Sequence, residues 1–139
     1  MKLLCFQAKR FRWKTHVKGL LEAPDRDVEE SVEQALVAFI HAEMADTDES
    51  RRASLLRQTV KHLKWLANKR DLSTIVLHAF AHLGGETATP GSAEQLLTAL
   101  AERLRQSGYE VKITPFGYFC EWDLNVYGDS LAKVWKELK

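Results

Sequence analysis

His78 and His82, four residues apart, are the first pair in this chain with the chemistry to bind a metal or move a proton. On a helix that spacing would set both imidazoles on one face. Here it falls on an apolar run at 74–80 (TIVLHAF) that leads into a loop, with no third ligand nearby, so no metal site is assigned. His82 alone follows a buried-type strand and precedes Gly84, Gly85, Glu86 and Thr87, a setting where rigid scaffolds present functional groups. The glycines would let a ligand backbone or a ribose approach closely. A histidine that merely closes the strand fits the same residues. Pro115-Phe116-Gly117-Tyr118-Phe119 surrounds a tight turn with three aromatic rings. Such a cluster suits stacking on a nucleobase, and equally a hydrophobic hairpin corner. Cys120 follows directly, but a nucleophilic thiol needs a base and an electropositive setting. No histidine is tied to it by spacing, so an inert thiol is the simpler reading. Lys133, one turn after Asp129, reads as a solvated helix lysine. There is no phosphate-cradling glycine loop, no Cys-x-x-Cys and no His-Glu-x-x-His.

The elements that must position these residues follow from hydrophobic periodicity. Residues 2–6 form a short apolar strand, and 9–17 alternate, with Phe11, Trp13, Thr15 and Val17 opposite Arg10, Arg12, Lys14 and His16. The two are expected to pair as an opening hairpin. Residues 19–27 read as a loop, 28–33 as an acidic turn or short helix, and 35–42 (ALVAFIHA) as a central strand covered on both faces. Caps at 47–50 introduce a helix over 51–70, striped by Leu56, Val60, Leu63 and Ala67. Thr89-Pro90 opens a second helix, striped by Ala93, Leu97, Leu100 and Leu104 and stopped at Gly108. Residues 109–113 and 118–126 are strands, and a last helix from Asp129 carries Leu131, Val134, Trp135 and Leu138. The order is β-β-β-α-β-α-β-β-α. It predicts a single α/β domain over residues 1–139, with helices packed on a mixed or largely antiparallel sheet.

At 139 residues, 45% hydrophobic and 28% charged, the chain can bury a core and is not of disordered composition. No apolar run reaches the roughly 18 residues that cross a bilayer, and residues 1–6 are too short for a signal peptide. Two cysteines, Cys5 and Cys120, make no disulfide framework, which points to a reducing, cytoplasmic compartment. The net charge of +1 conceals blocks of one sign. Residues 1–18 are basic, 22–49 hold ten acids against Arg26 alone, and 51–70 are basic again. Such blocks create local potentials that the total hides, so a polyanionic partner stays open.

Four segments, taken in order, carry a resemblance. They are Leu36-Val37-Ala38-Phe39-Ile40 with Glu43, Ala79-Phe80-Ala81-His82-Leu83, Ala88-Thr89-Pro90, and Pro115-Phe116-Gly117-Tyr118. Across essentially the whole chain they resemble the editing domain of archaeal-type threonyl-tRNA synthetases, related in fold to D-aminoacyl-tRNA deacylases. The resemblance implies a D-aminoacyl-tRNA deacylase-like fold and hydrolysis of the ester joining a wrong amino acid, chiefly L-serine, to threonine tRNA. It implies no metal and no cofactor, because the family uses backbone groups, a positioned water and the tRNA's own ribose hydroxyl. By the same resemblance His82 holds the terminal ribose or orients water. Ala42, Glu43 and Ala81 line the amino-acid pocket, while Phe116, Gly117, Tyr118 and Phe119 flank the terminal adenosine.

Two positions depart from the family. Cys120 stands where it has a functional lysine, and Lys133 where it has a functional glutamate; beside these, Phe119 replaces the tyrosine expected next to the lysine position, and Gln7-Ala8 replaces His-Ser. If Cys120 and Lys133 face each other across the pocket, the ammonium has moved between them, and Lys133→Ala abolishes turnover. The implied partner is the acceptor end of a mischarged tRNA, met through Arg10, Arg12 and Lys14. A homodimer is expected, acting in trans or in association with a threonyl-tRNA synthetase, as a standalone protein or an excised domain. The alternatives are a D-aminoacyl-tRNA deacylase, a catalytically silent tRNA- or nucleotide-binding module, and an interaction domain in which His82 and the aromatic turn only pack.

Overall fold

In the computed structural model, which describes residues 1–139, strand β1 (Lys2–Lys18) runs unbroken for 17 residues. The expected opening hairpin is therefore a single strand. Nothing between Met1 and Lys18 is glycine or proline, so the chain has no residue that favours a tight turn there. What looked like a break is a change of parity. Leu4, Phe6 and Ala8 face the same cluster as Phe11 and Trp13. On the partner strand Ala35, Val37 and Phe39 share that cluster with Val32. The step falls at Gln34, whose φ of 52° is left-handed, between the pairs Ala8↔Ala35 and Arg10↔Glu33.

That partner is β2 (Glu29–His41), antiparallel to β1 from Lys2↔His41 to Lys14↔Glu29. Its first residues, expected as an acidic turn, are strand because they lie opposite the basic half of β1. Arg12 pairs with Glu29 across the ladder, the kind of cross-strand contact that stabilises a sheet. Strand β3 (Thr74–Ala79) is parallel to β2, and β4 (Glu110–Ile113) is parallel to β3. Each parallel step is made by a crossover helix, α1 (Glu49–Asn68) and then α2 (Pro90–Gln106). Both helices start where capping residues stand: Asp48 accepts from the Ser50 N–H at 3.0 Å, and Thr89 Oγ1 from the Ser92 N–H at 3.3 Å.

Beyond the second crossover, β5 (Tyr118–Val126) and β6 (Lys133–Glu137) both run antiparallel to β1. With β2 on one edge of β1, they share the other edge in tandem: β6 opposite residues 2–6, β5 opposite residues 8–18. The expected last helix is instead a 3-10 turn, Ser130–Ala132, followed by β6. A helix of so few residues is marginal, whereas pairing satisfies the free edge of β1. The sheet order is β4-β3-β2-β1-β5 with β6 beside β1, a mixed α/β arrangement.

Both helices cover one face, where Leu55, Leu63, Leu66, Leu97 and Leu100 meet Leu3, Leu36, Ile40, Ile75 and Leu77. Burial there pushes the Cys5 thiol up to about 12, so it is inert. The other face curls onto itself. Trp122 of β5 lies 4.8 Å from Phe39 of β2 although β1 runs between their strands. No helix is long and apolar enough to cross a membrane.

Gln7 locks the strand to the helical layer. Fully buried, it donates to the Leu66 carbonyl at 2.8 Å and accepts from Arg70 Nε at 3.1 Å. Gln7→Leu keeps the volume but strands a buried carbonyl, and urea unfolding should report a loss of about 2 kcal/mol.

Candidate functional site

A cavity of about 330 Å³ opens where the carboxyl ends of the parallel strands β2 and β3 meet the first turn of α2 and the turn before β5. Open α/β sheets commonly bind ligands at that end of their strands. Ile40 comes from β2 and Ala42 from the residue just after it, and His78 through His82 from β3 and its extension. Pro90 and Ala93 come from α2, and Phe116 through Cys120 with Trp122 from the turn and β5.

The segment after β3 is positioned by a histidine that sequence reasoning did not single out. His41, buried at the end of β2, accepts the Leu83 N–H on Nδ1 at 3.1 Å. That bond leaves the proton on Nε2, 3.1 Å from Thr87 Oγ1. Burial, first of all, holds the His41 pKa below its ordinary value and keeps this tautomer neutral. Backbone bonds Phe80 N–H to Ile40 at 2.9 Å and Ala88 N–H to Ala42 at 3.0 Å clamp both ends of the segment. Lys2 Nζ closes it from outside through the Gly84 carbonyl at 2.6 Å. Between the clamps, of the N–H groups of residues 81–87 Leu83 alone has a protein acceptor; the free ones include the adjacent pair Ala81 and His82, which line the cavity.

The opposite wall is held as firmly. Gly117 takes φ +83°, and a Cβ there would sit 3.0 Å from the Ala23 Cβ, so glycine is required. Its carbonyl accepts from Gly19 at 2.7 Å and Leu20 at 3.0 Å. The Tyr118 hydroxyl accepts the Arg26 N–H at 2.8 Å and donates to the Pro24 carbonyl at 2.9 Å. With its hydroxyl engaged, the ring of Tyr118 is left to line the cavity.

None of the lining residues carries a carboxylate. His78 is buried against Phe39, Phe80 and Trp122, with Nδ1 2.7 Å from Thr114 Oγ1. Burial holds its pKa down to about 4, so it is neutral at physiological pH. Burial also raises the Cys120 thiol, outweighing the pull of the Arg26 charge, which leaves it a poor nucleophile. His82 is exposed at the rim, edge-on to Phe80 at 5.1 Å between ring centres.

A family model described as the archaea-specific editing domain of threonyl-tRNA synthetase matches residues 1–138. The chain belongs to that family. It is 33% identical over 140 residues to the threonine–tRNA ligase of Hyperthermus butylicus, a match covering 96% of this chain and 22% of the relative. With the ligase of Thermofilum pendens the identity is 28% over 141 residues, covering 100% and 23%. The chain thus spans about a fifth of the length of these curated relatives. Among solved structures, the c-Myc DNA unwinding element binding protein superposes with a TM-score of 0.70 at 14% identity, covering 100% of this chain and 99% of that one. The fold is therefore the D-aminoacyl-tRNA deacylase-like one expected from the sequence.

Within this editing domain the cavity gathers Ala42, Ala81, His82, Phe116, Gly117, Tyr118, Phe119 and Cys120. Glu43 and Lys133 are not among its lining residues. Glu43 points to the N-terminal ammonium at 2.9 Å and to Lys2 at 3.2 Å. Burial opposes its charge, but hydrogen bonds from those two cations hold its pKa low. Lys133 is on β6, not on a helix, and donates to the Gly128 carbonyl at 3.2 Å. It pairs opposite Phe6 while Cys120 pairs opposite Thr15, nine ladder positions further along β1. Cys120 is therefore part of the cavity wall, whereas the exposed Lys133 ammonium is engaged at Gly128 and lies outside the lining. Of the basic strand face, Arg10 pairs with Asp123 at 3.1 Å, and Arg12 with Glu29 and Glu121. Lys14 has no ion-pair partner within 4.0 Å.

The depressed histidine has a measurable consequence. Unfolding returns His78 to its ordinary pKa near 6.5, so between there and about 4 the unfolded chain binds the extra proton. Stability should fall as pH drops through that window, by about 3 kcal/mol when complete. His41 and His62, also depressed by burial, add in the same direction. Urea midpoints measured from pH 7 to pH 4 should decline steadily, and less steeply in His78→Phe.

Proposed function

We propose that the chain is an aminoacyl-tRNA deacylase, a carboxylic ester hydrolase that removes a mischarged amino acid, with serine on threonine tRNA as the substrate. The observation that carries this reading is the pair of unengaged N–H groups at Ala81 and His82, at the edge of an apolar, carboxylate-free cavity. Adjacent backbone donors suit the oxyanion that forms when water adds to an ester carbonyl. The oxygen of water joins the acyl carbon, the bond from that carbon to the ribose oxygen breaks, and the departing oxygen takes a proton. Free amino acid and intact tRNA result.

His82 orients the water or the terminal ribose from the rim. Ala42 and Ala81 bound the amino-acid end of the cavity. Phe116, Tyr118 and Phe119 offer aromatic faces on which the terminal adenosine stacks. Cys120 is a wall residue and not a nucleophile, because its thiol is held protonated. The site requires no metal or cofactor, since water and backbone dipoles supply the chemistry. The partially positive N-terminus of α2, capped at Thr89, favours a nearby phosphate of the acceptor end. Arg10 and Arg12 are neutralised by their carboxylate partners, leaving Lys14 to approach tRNA phosphates. Binding is accordingly weak and confined to the acceptor end. Residues 1–139 act as one editing domain, cytoplasmic, paired as a homodimer, working in trans or beside a threonyl-tRNA synthetase.

Deacylation of seryl-, threonyl- and D-aminoacyl-tRNA tests the reading. Seryl-tRNA for threonine should be hydrolysed fastest, His82→Ala should lower kcat/KM by about a hundredfold, and Lys133→Ala should leave it unchanged. Preference for D-aminoacyl-tRNA would move the activity to the related deacylases. Salt-dependent tRNA binding without turnover would select a silent binding module, the reading favoured by a cysteine at position 120 where the family carries a functional lysine.

A further inference from the structure

At the buried, deep end of the cavity, His78 keeps a ring nitrogen that no protein group uses. His78 is 5% exposed, and its Nδ1 is committed to Thr114 Oγ1 at 2.7 Å. Its Nε2 has no hydrogen-bond partner. It is also not sealed, since the buried side-chain polar atoms without partners are Trp13 Nε1 and His62 Nε2. Nε2 therefore reaches accessible space, and the space His78 lines is the cavity. Around it stand Phe39, Phe80 and Trp122, with ring centres 5.0, 6.2 and 5.1 Å away. Water can hydrogen-bond that atom in the open cavity, so a ligand that displaces the water must replace its hydrogen bond or lose affinity.

The chemistry of that ligand group follows from what the lining lacks. With no carboxylate present, an ammonium taken to the deep end would be desolvated and unpaired. A carboxylate would meet a neutral ring and no cation. A neutral hydroxyl fits. The Thr114 hydroxyl can donate to Nδ1 or accept from it, so the pair presents Nε2 as either a donor or an acceptor, and a hydroxyl can answer both. The ester end of a substrate, by contrast, belongs at the exposed rim beside the Ala81 and His82 N–H groups.

We propose that His78, oriented by Thr114, is the specificity-determining residue of the cavity, reading the side-chain hydroxyl of a hydroxy-amino-acid ester. The proposal rests on the deacylase reading for the ester and adds the residue that selects among amino acids. A site that hydrogen-bonds a substrate hydroxyl discriminates against the analogue lacking it, because the buried polar atom is then left unpaired. Thr114 is a positioning residue: it holds the ring and stands behind it.

The test compares seryl and alanyl esters of the same tRNA. Wild-type protein should prefer the seryl ester by about ten- to a hundredfold in kcat/KM. His78→Phe, which preserves the aromatic packing, should collapse the seryl-to-alanyl ratio of kcat/KM toward one. Thr114→Val, a second variant with a milder lesion, should reduce the preference without abolishing it. An unchanged seryl-to-alanyl ratio in both folded variants overturns the proposal. Binding of the stable seryl-amide and alanyl-amide analogues of 3′-amino-3′-deoxyadenosine gives a readout that does not need turnover. Tighter seryl-analogue binding that is lost in His78→Phe upholds His78 as the reader even if no ester is hydrolysed, in which case only the deacylase reading fails. Equal binding of the two analogues, or no binding of either, overturns it.

Discussion

The organising constraint in this molecule is that β1 is one continuous strand with both edges occupied. One edge carries β2 along most of its length, and the other carries β6 and then β5. Every buried backbone group along those edges needs a partner, so a single 17-residue strand dictates where three others must lie. The tandem arrangement carries β5 along the second half of β1, and the curl of the sheet returns Trp122 to the ring of Phe39. The cavity is the space left between that returning strand and the ends of β2 and β3. The same constraint puts Cys120 on β5, in the cavity wall, and Lys133 on β6, outside the lining.

Within the cavity, neutrality is the recurrent theme. His41 and His78 are both kept uncharged by burial, and the Cys120 thiol is kept protonated by the same cause. Charged groups are instead gathered behind the walls. The N-terminal ammonium, Lys2, Glu43 and Asp46 form a compact cluster that braces the segment after β3 from outside. The proposed hydrolysis would rest on oriented dipoles, water and the rim imidazole of His82, since the thiol and the buried imidazole of the cavity are held neutral. The apolar surroundings strengthen those dipoles by excluding competing solvent.

Much of the scaffold was legible because its signals are local. The stripes of α1 and α2, the capping residues Asp48 and Thr89, and the continuous apolar run of β2 each act over a few residues, and each stands where periodicity puts it. The loop residues from Ala81 to His82 and from Phe116 to Tyr118 were legible for the same reason, since glycine and proline punctuate them. The chain end was not. Leu131, Val134, Trp135 and Leu138 repeat at helical spacing, yet the segment is a strand, because the empty edge of β1 offers more than an isolated turn of helix can. Nor was the parity step at Gln34, which looks like a chain break when one strand is read without its partner.

By itself the sequence determined the α/β class, the two helices and their caps, the apolar central strand, and the two loops that carry the site. These depend on spacing and on residue types whose preferences are intrinsic to the backbone. Tertiary structure alone decided which residues share the cavity, that Glu43 faces the N-terminal ammonium and not the pocket, that Lys133 lies outside the lining, and that His41 and His78 are buried and neutral. Those outcomes depend on which edge each strand occupies and on how much water each group loses. Neither is a property of a short stretch of chain. Both are set only when distant segments meet.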